Sequence, residues 1–109
     1  MKREVKDKWI AALRSGKYKQ GTGCLRDIDS NAFCCMGVLC DIVDDSKWQP
    51  DGDYGRYSYV FGCEYFVGSP PFQILRRTTA LKLVALNDYK EWSFNQIADW
   101  IEENVGVDE

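Results

Sequence analysis

Phe33-Cys34-Cys35-Met36-Gly37-Val38-Leu39-Cys40-Asp41 is the stretch on which the fold turns. From Phe33 to Cys40 no side chain carries a charge, and the flanks are polar: Asp27, Asp29, Ser30 and Asn31 before, Asp44 and Asp45 after. A run apolar on every side and too short for a bilayer belongs inside a protein. The bulky residues Phe33, Met36, Val38, Leu39, Ile42 and Val43 cover more than one helical face, as expected of a central helix wrapped by the rest of the chain. The reading is a helix from about Phe33 to Asp44, capped by Asp29, Ser30 or Asn31. A buried strand is the competing reading of so short a run.

Outward from that helix, Arg3 to Ser15 carries Val5, Trp9, Ala12 and Leu13 at helical spacing, and Gly16 stands ready to end it. Lys17 to Arg26 holds Gly21 and Gly23 and reads as a loop or a short irregular hairpin. Asp45 to Tyr57 is polar and turn-rich, with Trp48 expected to pin it to the core. Tyr57 to Phe61 and Cys63 to Val67 are the strand candidates, with Phe72 to Leu75 a third short one. Thr78 or Thr79 is placed to cap a helix over Ala80 to Leu86, which Asn87-Asp88 would stop. Ser93 with Gln96 forms a capping box for a last helix striped by Phe94, Ile97, Ala98 and Ile101. The order predicts one α+β domain over residues 1–109: a central buried helix, a small antiparallel sheet and three further helices.

Composition narrows the chemistry. The 109 residues suffice for one domain that needs neither disulfide nor metal to fold. A net charge of −3 argues against a general grip on nucleic acid, so any anion site must be local. No stretch reads as a signal peptide or membrane span. There is no histidine, which removes the commonest general base and zinc ligand. The five cysteines (Cys24, Cys34, Cys35, Cys40, Cys63) lack the paired spacing of a zinc site and read as reduced core residues. A Cys34 nucleophile activated by the helix N-terminus is the sharper alternative. Asp41, Asp44, Asp45, Asp51 and Asp53 lack the spacing of a calcium loop. The expectation is a protein without catalytic residues, metal or cofactor.

The candidate ligand residues are Lys17, Tyr18, Lys19, Gln20, Gly21, Thr22, Gly23 and Arg26, with Arg76 and Arg77 before a helix N-terminus. Glycine backbone N–H groups can cradle an anion, basic side chains add charge, and Tyr18 can stack on a base. The same loop also reads as a plain turn with solvated charges. It matches neither a Walker nor a dinucleotide motif. Tyr54, Tyr57, Tyr59, Phe61, Tyr65 and Phe66, with Arg56, form the other candidate surface: one face packs inward and the other can meet a protein.

Trp9-x-x-Ala12-Leu13-Arg14-Ser15-Gly16-Lys17-Tyr18-x-Gln20-Gly21, Leu25-Arg26, the Phe33 to Asp41 run, Leu86-Asn87-Asp88 and Ser93-Phe94-x-x-Ile97-Ala98-Asp99-Trp100-Ile101-Glu102 occur together. In this combination the chain resembles small proteins of unassigned function from tailed bacteriophages and prophages, over roughly its first 45 and last 25 residues. The resemblance implies a phage product acting in the host bacterial cytoplasm, where such proteins often oppose host defence. The leading expectation is therefore a non-enzymatic anti-defence protein that sequesters a phosphate-bearing nucleotide signal. The alternative is a protein–protein inhibitor of a host enzyme or defence complex. A homodimer is compatible with either.

Overall fold

The computed structural model of the chain describes residues 1–51, 55–59 and 75–107. In these, helix α1 (Arg3–Arg14) leads through strand β1 (Lys19–Gln20) and strand β2 (Ala32–Phe33) to the central helix α2 (Cys35–Val43). A 3-10 turn (Asp45–Lys47), strands β3 (Trp48–Asp51) and β4 (Arg56–Tyr59), and helices α3 (Arg77–Asp88) and α4 (Phe94–Asn104) follow. The result is a small α+β domain with a helical core and two short sheets, β1 with β2 parallel and β3 with β4 antiparallel. A small antiparallel sheet is expected from the sequence, though with Cys63 to Val67 and not Trp48 to Asp51 as the partner of Tyr57 to Phe61; the parallel pair is not expected.

Helix α2 is the centre of the core. Cys35, Met36, Val38 and Leu39 have no exposed surface. From α1, the buried Trp9 indole donates 2.9 Å to the carbonyl of Cys35. From α3, the Leu83 carbonyl accepts a 3.6 Å bond from the Cys35 thiol. Gly37 lies against the backbone of Leu25 so closely that a Cβ there would stand 1.9 Å from the Leu25 oxygen. Glycine at this position sets the helix-to-loop distance. Helices α1 and α4 run antiparallel: Lys6 donates to the Val105 carbonyl at 2.7 Å, while Arg14, two turns on, reaches Asp99. Lys6 thereby satisfies carbonyls freed at the end of α4.

Several expected boundaries move, each for a local reason. The central helix begins at Cys35, not Phe33, and its cap is Cys34, whose sulfur accepts from Gly37 N–H at 3.4 Å. The polar cluster before it is a turn: Asp27 accepts from the backbone and hydroxyl of Ser30, and Asn31 takes φ +55°. Asparagine tolerates that left-handed conformation, so the chain reverses there and sends Ala32 and Phe33 back as a strand. Trp48 to Asp51, expected as loop, pairs with β4 in the register Trp48↔Tyr59, Asp51↔Arg56. Helix α3 starts at Arg77 with no side-chain cap, so Thr78 and Thr79 lie within its first turn. Asn87 and Asp88 do not stop it but form its last turn. The capping box of Ser93 and Gln96 stands as expected, with Phe94, Ile97, Ala98 and Ile101 buried. The strand candidates beyond Tyr59 and at 72–74 lie outside the described residues.

The two sheets join through irregular backbone. Tyr57 N–H donates to the Arg26 carbonyl at 2.9 Å, Asp27 N–H to the Ala32 carbonyl at 2.8 Å, and Gly21 N–H to the Phe33 carbonyl at 2.8 Å. A continuous ribbon of hydrogen bonds thus runs from β3 through β4, residues 25–28 and β2 to β1.

Candidate binding site around the glycine loop

The loop from Lys17 to Arg26 sorts its polar groups in three directions. Facing inward, Gln20 Nε2 donates to Asn87 Oδ1 at 2.9 Å and to the Trp92 carbonyl at 2.7 Å. Asn87 is wholly buried. Its oxygen also accepts from Cys35 N–H at 3.3 Å, and its amide donates to the Gly21 carbonyl at 2.9 Å and to Asp88 at 2.8 Å. Every hydrogen-bonding valence of that side chain is used. Gly21 is needed because a Cβ there would meet the Ala32 side chain at 2.8 Å.

Facing sideways, Arg26 enters an aromatic clasp. Its guanidinium carbon lies 4.2 Å from the ring centre of Tyr57, 4.9 Å from that of Phe33 and 5.4 Å from that of Trp48. Its Nε donates to Asn31 at 2.8 Å. The rings form an edge-to-face series, with centroids 5.0 Å apart from Tyr18 to Phe33, 6.0 Å from Phe33 to Trp48 and 6.2 Å from Trp48 to Tyr57. Asp41 locks the series from beneath, accepting from the Tyr18 hydroxyl at 2.6 Å and from the Trp48 indole at 2.9 Å. Burial, then the bond to Asp41, raises the Tyr18 pKa well above its ordinary value. Arg26, Trp48 and Tyr57 are half-buried, so the clasp is ordered yet reachable. Facing outward, Lys17, Lys19, Thr22 and Gly23 are exposed, with Gly23 at φ +83°.

Arg76 and Arg77 stand apart from this loop. They begin α3, whereas Asn87, which touches Gln20 and Gly21, lies in its last turn. Eleven residues of helix separate Arg76 from Asn87, about 16 Å along the axis. Arg76 instead lines a pocket of about 290 Å³ with Met1, Thr79 and Asn104. The expected phosphate-holding residues therefore form two separate places.

The thiols are internal. Burial pushes the Cys34 pKa up to about 12 and raises those of Cys35 and Cys40 well above the usual thiol value. At Cys34 desolvation outweighs the bond from Gly37 N–H, the opposite of an activated nucleophile. Half-buried Cys24 shifts upward for the same reason. Cys63 lies outside the described residues. Among the described residues no three His, Cys, Asp or Glu side chains come together as a metal site. Asp44, one of the acidic run, caps the 3-10 turn by accepting from Ser46.

A family of proteins defined by a domain of unknown function, DUF8296, matches residues 1–76. The chain belongs to the DUF8296 family. No curated protein and no solved structure matched it. The DUF8296 match spans α1, the glycine loop, α2 and the hairpin, and so contains every residue of the clasp. Asn87, which closes the inward side of the loop, is supplied from beyond the matched segment.

The clasp carried no distinct signal in the sequence. In the sequence Arg26 stands out for its charge and Trp48 as an anchor, but their meeting depends on the β4 backbone bonding to Arg26. The bridge Asp27↔Arg56 and the Tyr57 bond to Arg26 bring together residues some thirty positions apart.

Proposed function

We propose that this DUF8296 protein is a non-enzymatic binding protein, encoded by a tailed phage, that acts in the host bacterial cytoplasm by docking on a host enzyme or defence complex. The observation that carries this reading is the clasp of Arg26 among Phe33, Trp48 and Tyr57. Arginine, tryptophan and tyrosine are the residues on which protein interfaces concentrate their affinity. Asp41 fixes Trp48 of the clasp and Tyr18 against Phe33 before any partner arrives, so less side-chain freedom remains to be lost on binding.

A second reading keeps the phosphate-bearing nucleotide as ligand. It is favoured by the exposure of Lys17, Lys19, Thr22 and Gly23 at one edge of the loop. The inward bonding of Gln20 and Gly21 leaves that edge with charge but few directional groups, so docking on a protein is the better supported use.

The test is affinity capture from bacterial lysate with wild type and Arg26→Ala side by side. The expected result is a stoichiometric protein partner bound by wild type and held about thirtyfold more weakly by the variant, as for an interface residue worth about 2 kcal/mol. A partner held equally by both removes the clasp from the interface. Bound material absorbing at 260 nm, with calorimetric binding of a cyclic or ADP-ribose-type nucleotide lost on Lys17→Ala and Lys19→Ala, would establish the second reading instead.

A further inference from the structure

The chain has four tryptophans, and they are treated differently. Trp9 is wholly buried, and Trp48 belongs to the clasp. Trp92 and Trp100 each pack one side on the core and leave the other half-exposed. With Gln96, Asp99 and Glu103 they line an open groove of about 260 Å³ along α4. The spacing 92, 96, 99, 100, 103 is a single helical stripe, so the groove is a property of one rigid element and the turn before it.

Two indole faces beside carboxylates suit a cation. Indole attracts cations more strongly than the other aromatic rings do, and a nearby carboxylate supplies the counter-charge. Asp99 is already paired with Arg14 at 2.6 Å. Glu103 has no ion pair among the described residues. Nor can the chain fill the groove from elsewhere. All fourteen lysines and arginines lie among the described residues; stretches 52–54, 60–74 and 108–109 contain none. The cation must come from another molecule.

We infer that the Trp92–Trp100 groove receives an arginine side chain presented by a protein segment, the guanidinium lying against the indoles with Glu103 as its counter-ion. A guanidinium is planar, stacks on indole and pairs with a carboxylate through its edge. This site is separate from the Arg26 clasp and does not depend on the function proposed for it.

The probe is a blocked hexapeptide of alternating glycine and arginine, titrated into the ¹⁵N-labelled full chain while the indole N–H resonances are followed. Two indole signals, those lost in Trp92→Phe and Trp100→Phe, should shift saturably with a Kd of about 1 mM or tighter. The Trp9 signal should stay still. Glu103→Gln, an exposed change that leaves the core alone, should weaken binding about fivefold. The same peptide with glutamine for arginine should not bind. A glutamine peptide that binds as well, an unchanged Kd in Glu103→Gln, or no shift up to 10 mM peptide (an approximate ceiling for weak binding) would overturn the assignment.

Discussion

The inward and sideways faces of the glycine loop differ in one respect that decides their roles. At the Asn87 seam, a wholly buried amide side chain has every polar atom answered: Gln20, Gly21, Cys35 N–H and Asp88 converge on it. At the Arg26 clasp, a few residues along the same chain, a charged group lies among rings that solvent still reaches. A dense set of polar residues is thus no guide to a binding site until each group's hydrogen bond has been traced. Those at the seam hold the loop to α2 and α3; those at the clasp are ordered but still open to a partner. Substitutions at the seam should cost stability and leave partner binding intact. Substitutions at the clasp should cost the proposed partner binding and comparatively little stability.

The largest effect is expected at Gly37, where α2 meets the loop. Alanine is the better helix former by about 1 kcal/mol, so propensity alone predicts stabilisation. The Cβ would, however, fall 1.9 Å from the Leu25 oxygen and 2.8 Å from its carbonyl carbon, both backbone atoms that cannot rotate away. The clash wins, and Gly37→Ala should lose about 4 kcal/mol or more, read as a fall in the urea midpoint. Unchanged stability would mean that the helix-to-loop distance is not fixed there.

Asn87→Ala comes next. It removes the amide that answers the Gly21 carbonyl, Cys35 N–H and Gln20, and leaves those groups within or beside the core without a partner. Orphaned buried groups cost about 1–3 kcal/mol each, partly relieved by water or relaxation, so a loss of about 3 kcal/mol is expected. Amide hydrogen exchange should quicken at Cys35, whose N–H loses its acceptor, ahead of the rest of the core. Partner binding by the folded fraction should be unchanged, and that separates seam from clasp.

How much of this the sequence disclosed follows from the range of the forces involved. The buried run at Phe33 to Cys40 and the stripe of α4 were legible because apolar periodicity is written locally. So was the Ser93 capping box, whose partners stand three residues apart. The start of α2 was not legible, because the parallel pairing of Lys19–Gln20 with Ala32–Phe33 draws Phe33 into a strand. Asn87-Asp88 looked like a helix stop since polar pairs usually are. Only a tertiary partner, the loop at Gln20 and Gly21, makes a buried asparagine favourable in the last turn. Trp48 to Asp51 looked like loop because Pro50 and its polar neighbours disfavour strands, yet pairing with Arg56 to Tyr59 overrides that local preference.

The smallest effect belongs to the clasp and has a pH signature. Tyr18 donates 2.6 Å to Asp41 and stacks edge-on against Phe33. Tyr18→Phe keeps the ring and loses the bond, for a cost of about 1 kcal/mol near neutral pH. The folded-state pKa of Tyr18 is raised above the ordinary tyrosine value of about 10. A raised pKa contributes stability that is complete below the unfolded value and is lost as pH climbs toward the folded one. Above about pH 10 the unfolded chain releases this proton while the folded chain holds it, which favours unfolding. The stability gap between wild type and Tyr18→Phe should therefore be flat from pH 6 to 9 (an approximate window below the tyrosine pKa) and shrink at higher pH. Lysine titration affects both proteins alike and cancels in the difference. A gap that widens with alkali would reverse the sign and place the proton of this hydrogen bond elsewhere than on the tyrosine.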